Sequence, residues 1–337
     1  MSYPPVPPLQ AWWVQMTVCA AFNVVLFAVV WRRTRAYVVS DYALKHAWSA
    51  RYCRAMRLLA IPYVFECAWR SLLPSQYNTR IVIVDNSVND VLAARLLAAV
   101  GETCWAIQWS WALRVIALNS PLVPGALAHS VVRRGVPVLT YVTASLGGIA
   151  QLFSIAGMVS TNYYWNVWEE SLWACVFILV TLGAGTTWVL GADAPGYVLV
   201  NACVRPADDD QVALLKREHH HTDVSIWVTR VFLRLLCMFG LACSVYTCAH
   251  DVPYWMQLYR NDEAAGKTYF DLADGFRDAA SMWHVNQTLD AWSDQFLWMS
   301  GYFFFGPLSA IVLMFAPGRV RFESCDCPLH EHGLVVA

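Results

Sequence analysis

The residues best able to do chemistry lie in Thr161–Trp173, read as TNYYWNVWEESLW. Asn162, Asn166, Glu169 and Glu170 stand there at i, i+4, i+7 and i+8, which on a helix makes one polar stripe. The stripe opens an apolar run that continues to about Leu190, long enough to cross a bilayer. Carboxylates in a membrane helix are costly unless something uses or neutralises them. In a water-poor pocket two carboxylates cannot both ionise cheaply, so one stays protonated as an acid while another acts as a base. Glu169 and Glu170 are the first acid–base candidates, with Glu102 and Asp251 as partners. Asn162 and Asn166 would orient a substrate, and Arg70 and Arg95 would set the charge of the carboxylates.

Glu66 and Arg70 form an i,i+4 pair in the favoured order. Trp105 and Trp109 follow Glu102 at i+3 and i+7, on its face. An aromatic wall beside a carboxylate would stabilise a cationic intermediate or bind a cation. The plainer alternatives are tryptophan packing and a structural network in which Glu66–Arg70 and Arg95–Glu102 neutralise each other. Cys325-Asp-Cys327 with His330 and His332 looks like a metal-ligand string, and His219–His221 is placed on the same side. Its spacing is not a standard zinc pattern, so no metal site is assigned. No Gly-rich phosphate loop, nucleophile elbow or HExxH occurs, and no cofactor is identified. The last apolar span holds no lysine, which removes a retinal Schiff base there.

Composition says what must position these groups. The chain has 337 residues, 58% hydrophobic and only 14% charged, against about 25% charged in soluble domains. Mean hydropathy is +0.42. The expected object is an all-α polytopic membrane protein, a single transmembrane domain over residues 1–337. A net charge of −1 gives no electrostatic case for nucleic acid. Membrane lipids are the expected surroundings, and partner subunits of a membrane complex are possible. Residues 1–10 are Pro-rich and uncharged, without the basic start of a cleavable signal. Seven of the cysteines fall in apolar spans and behave as small hydrophobes, so no disulfide framework is expected.

Seven spans are predicted, at about residues 11–31, 58–73, 91–118, 136–160, 165–190, 224–248 and 295–315. The segment Arg32–Arg57 carries Arg32, Arg33, Arg35, Lys45, Arg51, Arg54 and Arg57 against Asp41 alone. The positive-inside rule then puts the N-terminus outside and the C-terminus inside. Residues 250–294 form an acidic outer segment, within which 272–284 has helical spacing and would lie flat on the interface. Residues 317–337 read as a mobile tail.

Four blocks carry a resemblance. They are Cys67–Arg70–Ser71…Pro74…Arg80…Asp85, then Arg95…Glu102…Gln108, then Thr161–Asn162–Tyr163…Asn166…Glu169–Glu170–Ser171…Trp173. The fourth is Asp251–Val252–Pro253–Tyr254…Arg260…Asp262–Glu263, continuing through Gly275…Asp278, Trp292 and Trp298–Met299…Tyr302. Together they resemble a functionally unassigned group of seven-helix integral membrane proteins from bacteria and protists. This chain departs from the group at Ser75, where a basic residue is usual, and at Phe303–Phe305. The resemblance implies one multi-helix unit with an outer polar cluster, Tyr254 included, and supplies no reaction. Asn166-x-x-Glu169 with a later Asp is also similar, by analogy, to integral-membrane terpene cyclases. The leading expectation is a membrane-embedded enzyme acting on a lipid or isoprenoid-like substrate through carboxylate acid–base chemistry. A non-catalytic subunit of a membrane complex, and a transporter or receptor for a cation or amine, are the alternatives.

Overall fold

The structure is a computed structural model that describes residues 7–38, 47–86, 89–119, 122, 125–191 and 230–314. Its long helices are α1 (Pro7–Val38), α2 (Ala47–Leu72), α3 (Val91–Asn119) and α4 (Ala126–Ser160). They continue as α5 (Tyr163–Val189), α6 (Arg230–Ala264) and α8 (Leu289–Leu313), with the short α7 (Leu272–Ser281) before the last. Among the described residues, six of these are long and apolar enough to cross a membrane. The exception is α2, which holds Arg51, Arg54, Arg57, Glu66 and Arg70. Seven predicted spans thus become six apolar helices plus one charged helix of similar length.

Side-chain contacts fix how the helices run. Trp13 bonds to the Leu72 carbonyl while the Arg57 guanidinium covers Trp31, so α1 and α2 are antiparallel. Gln108 bonds to the Met56 carbonyl and Gly101 abuts Glu66, which reverses α3 against α2. Arg95 meets Gln151 and Arg114 meets Tyr141, which reverses α4. Gly185 lies by Cys237 and Gly240 by Thr181, which sets α6 against α5. Tyr302 bonds to Glu102 and Ser309 to Trp105, so α8 runs parallel to α3.

The turn between α4 and α5 shows how local chemistry serves this layout. Thr161 takes a left-handed conformation (φ 55°) that ends α4. Asn162 then caps α5 by accepting from the Tyr164 amide at 2.9 Å. Asn162, expected to orient a substrate, thus spends its side-chain oxygen on the helix cap.

One end of the bundle is closed. Strands β1 (Ser75–Gln76) and β2 (Ile81–Val82) make an antiparallel hairpin, and β3 (His284–Val285) adds to β2 in parallel. The hairpin turn places Arg80 in the left-handed region (φ 54°), from which it reaches Asp278 of α7 at 2.9 Å. Helix α7, within the segment expected to lie flat on the interface, packs on the end of α4. Its Gly275 seats against the Val159 carbonyl at the end of α4, with Ala279 and Met158 in the same apolar cluster. Two boundaries also move. Helix α2 starts before residue 58, inside the basic segment, and α6 runs on through the first part of the acidic segment to Ala264. A π-helical turn at Thr247–Asp251 lets α6 pass that point without breaking.

Gly101 sets the α2–α3 spacing. A Cβ there would stand 3.0 Å from the Glu66 Cβ and 3.2 Å from the Pro62 carbonyl. Replacing Gly101 by leucine is expected to destabilise the bundle by about 1–3 kcal/mol through overpacking. Gly135, whose Cβ would meet nothing within 4 Å, is the matched control. Thermal unfolding of the two variants in mild detergent measures the difference.

Candidate functional site

Five charged side chains from three helices form one buried network beneath the closed end. Arg70 on α2 donates to Glu66 Oε1 at 2.7 Å and to Glu102 Oε1 on α3 at 3.4 Å. Arg95, also on α3, stands 3.7 Å from Glu102 Oε2 and 3.5 Å from Glu169 Oε1 on α5. Glu102 therefore links two guanidiniums, and the charges alternate from Glu66 through Glu169. All five are buried, Glu66 completely. Isolated charges at such sites would each cost several kcal/mol, so each arginine here serves two carboxylates.

Neutral groups complete the network. Gln151 of α4 accepts from Arg95. Tyr302 of α8 donates to Glu102 at 3.0 Å, and the Cys67 thiol donates to Glu66 Oε2 at 3.0 Å. Asn166 donates to Glu169 Oε2 at 3.1 Å and accepts from Asn78 of the hairpin at 3.2 Å. The ring of Tyr77 is shared by both cations, 4.9 Å from the Arg70 guanidinium carbon and 5.3 Å from that of Arg95. Burial pushes the Tyr77 hydroxyl well above the usual phenol range, even with two guanidiniums beside it. The hairpin thus supplies a lid of aromatic ring and amide over the charges.

The second carboxylate of the α5 pair differs from the first. Glu170 makes no hydrogen bond or ion pair with another described residue. Its charged neighbours are Glu169 and Asp251, then Glu102, and last Arg95, with which it forms no ion pair. Asp251 lies in the π turn of α6 and pairs with His250 Nδ1 at 3.0 Å. It is not ion-paired to Arg70 or Arg95. Asp251 is thus beside the network, reached through Glu170, and not a member of it. Tyr254 is exposed on α6 between His250 and Trp255 and does not join the cluster.

One turn deeper, each glutamate-bearing helix presents an aromatic ring. Tyr63 precedes Glu66 by three residues, Trp105 follows Glu102 by three, and Trp173 follows Glu169 by four. Tyr63 and Trp105 stack with centroids 5.0 Å apart, and Trp105 and Trp173 lie 6.2 Å apart. Trp105, Trp109, Trp173, Phe177 and Phe239 then wall a small apolar cavity of about 20 Å³ between α3, α4, α5 and α6. Trp105 and Trp109, expected on one face with Glu102, line this cavity, and the Trp105 indole donates to Ser309.

The structure brings together Glu66, Arg70, Arg95, Glu102, Asn166 and Glu169, with Glu170 and Asp251 at the side. Gln151, Tyr77, Asn78, Tyr302 and Cys67 belong to the network and carried no role in the residue-by-residue reading of the sequence. A glutamine inside the apolar run of α4 was a readable signal. Tyr77 and Asn78 had none beyond a polar loop. The Cys325–His332 string and His219–His221 lie outside the described residues, and no cluster of His, Cys, Asp or Glu suited to a metal occurs among those described.

No protein-family model, curated protein or solved structure matches this chain. What the fold itself defines is a mostly helical bundle whose six apolar helices have the length and composition of a multi-pass membrane protein.

The pairing pattern separates the carboxylates by stability. Glu102→Gln leaves two buried guanidiniums short of an anion and is expected to cost about 3–5 kcal/mol. Glu170→Gln breaks no pair and is expected to change stability by under about 1 kcal/mol. Denaturation in detergent with both variants gives the comparison.

Proposed function

We propose that this protein is a membrane-embedded enzyme acting on a lipid or isoprenoid-like substrate. The observation that carries the reading is the juxtaposition of carboxylates with an aromatic-walled apolar cavity one helical turn away. A hydrocarbon chain would have to widen this small cavity on entering, and the rings would then stabilise positive charge developing on it. Glu170 is the acid–base candidate, because no arginine holds it as a fixed anion. Asp251, itself paired with His250, would accept or return its proton. Glu169, Glu102 and Glu66 keep Arg70 and Arg95 in place and act as positioning residues. Asn166 fixes Glu169 from the next turn.

The fuller membrane arrangement belongs to the same proposal. Helix α2 would be the seventh span, since it runs alongside α1 and α3 and its Glu66 and Arg70 pair with each other. Arg51, Arg54, Arg57, Arg133, Arg134, Arg230 and Arg234 all sit toward the bundle end opposite the hairpin and α7. That asymmetry supports a cytoplasmic position for that end, with the N-terminus outside and the C-terminus inside. A reporter fused to the C-terminus is expected to be active only in the cytoplasm. Activity on the far side would reverse the assignment.

A second reading has its own support. Every charge of the five-membered network is already paired, which is also what a structural core in a subunit of a larger membrane complex would need. One experiment separates the two. Purified protein in lipid discs is incubated with polyprenyl lipids, and products are followed by mass spectrometry. Loss of turnover by about 10²–10⁴-fold in Glu170→Gln, at unchanged thermal stability, is the expected result. Equal product formation by that variant, or none by the parent protein, favours the structural reading.

A further inference from the structure

At the end of the bundle opposite the hairpin, one buried cation has no anion. Arg57 of α2 is 7% exposed, its Nε is buried without a partner, and it forms no hydrogen bond or ion pair with another described residue. Its guanidinium carbon lies 3.8 Å from the centroid of the Trp31 ring on α1. Because α1 and α2 are antiparallel, that contact sets the level of the residues around it. Arg35 follows Trp31 by one turn on α1, and Arg54 precedes Arg57 by one turn on α2. Both are exposed, and both are charged neighbours of Arg57; the other titratable neighbour is the Cys53 thiol. Three cations thus gather where the two helices end. Among the described residues no acid lies on that side of the charged layer. Helix α1, α2 before Glu66, α3 after Glu102, α4, α5 after Glu170, α6 before Asp251 and α8 after Asp294 hold none. The Trp31 ring offsets only part of the cost of burying a guanidinium, so the site calls for an anion from outside.

The setting selects the anion. A guanidinium presents a planar fork of donors that matches phosphate oxygens. Trp31 and Arg35 close the apolar span Pro8–Arg35, which puts the three arginines at the depth of lipid head groups. Toward the bilayer centre the same two helices expose apolar side chains, Val29 and Val25 on α1 and Leu58 and Ile61 on α2. An acyl chain would lie against that face, whereas a soluble phosphate would leave it unused. Basic residues at the edge of a span attract anionic lipids in general. What sets this place apart is a buried arginine already held in position by a ring. We propose that Arg57, with Arg35 and Arg54, binds the phosphate head group of an anionic phospholipid at the paired ends of α1 and α2. The site needs only that the apolar helices lie in a bilayer, and it is independent of the chemistry proposed for Glu170.

The test uses the full-length protein, purified in a neutral detergent and depleted of phospholipid. It is given dioleoylphosphatidylglycerol, dioleoylphosphatidylcholine or inorganic phosphate, and Tm is read. Phosphatidylglycerol is expected to raise Tm by about 3 °C, and the other two by less than half as much. Arg57→Gln is expected to lose at least half of the phosphatidylglycerol shift. Arg134→Gln, at an exposed arginine of α4 toward the same end, is expected to keep it. Phosphatidylcholine matching phosphatidylglycerol overturns the proposal, because hydrocarbon alone would then account for the shift. Inorganic phosphate matching it overturns the lipid as the source of the anion. An equal loss in Arg134→Gln overturns the site in favour of diffuse attraction by the whole basic end. No shift with phosphatidylglycerol overturns the proposal outright. If Arg57→Gln fails to fold, Arg54→Gln at an exposed position takes its place and is read in the same way.

Discussion

Two guanidiniums and three carboxylates cannot be buried in an apolar bundle one at a time. Each ion removed from water costs several kcal/mol, and only close opposite charges offset it. Here the offset requires three separate helices to arrive together, because Glu66–Arg70, Arg95–Glu102 and Glu169 come from α2, α3 and α5. Helix α4 contributes Gln151, and α8 contributes Tyr302. The network thus fixes which helices are neighbours and at what height. Hydrocarbon contact alone would not, since one apolar face slides on another with little change in energy. Gly101 serves the same end from the backbone side, by letting α3 approach α2 at the level of Glu66.

The aromatic layer follows from the charged one. With three glutamates locked at one level, the residues one turn away on the same helices must also meet. Those residues are Tyr63, Trp105 and Trp173, and large flat rings fill the space without polar demands. The bundle then has three strata: a hairpin lid with Tyr77 and Asn78, a layer of paired charge, and an apolar cavity below it. Glu170 stands at the side of the charged layer facing Asp251 on the π turn. It is the one glutamate there that forms no ion pair with an arginine.

Much of this order was legible in the chain. Apolar runs marked the helices, the Glu66–Arg70 spacing marked an ion pair, and charged residues in apolar spans marked the cluster. The short turn at Thr161–Asn162 was also readable, although Asn162 proved to be a helix cap. Other features depend on which helix faces which, and pattern within one segment does not carry that. Glu169 and Glu170 are adjacent, yet one is ion-paired and the other is not, because only one side of α5 faces Arg95. Asp251 and Tyr254 follow α6 past the point where its apolar run ends, and the π turn that carries Asp251 has no sequence mark. The hairpin's contribution rests on long-range contacts to α7, such as Arg80 to Asp278.

The central claim is that pairing between Arg95 and Glu169 joins α3 to α5 as part of one interdependent network. A double-mutant cycle with Arg95→Leu, Glu169→Leu and the double variant, read by denaturation in mild detergent, measures that link directly. A coupling energy of about 2–3 kcal/mol, with the double variant more stable than the two single losses would sum to, is the expected result. Additive losses, with no coupling beyond experimental error, would mean that the two side chains are buried independently and that the network does not organise the fold.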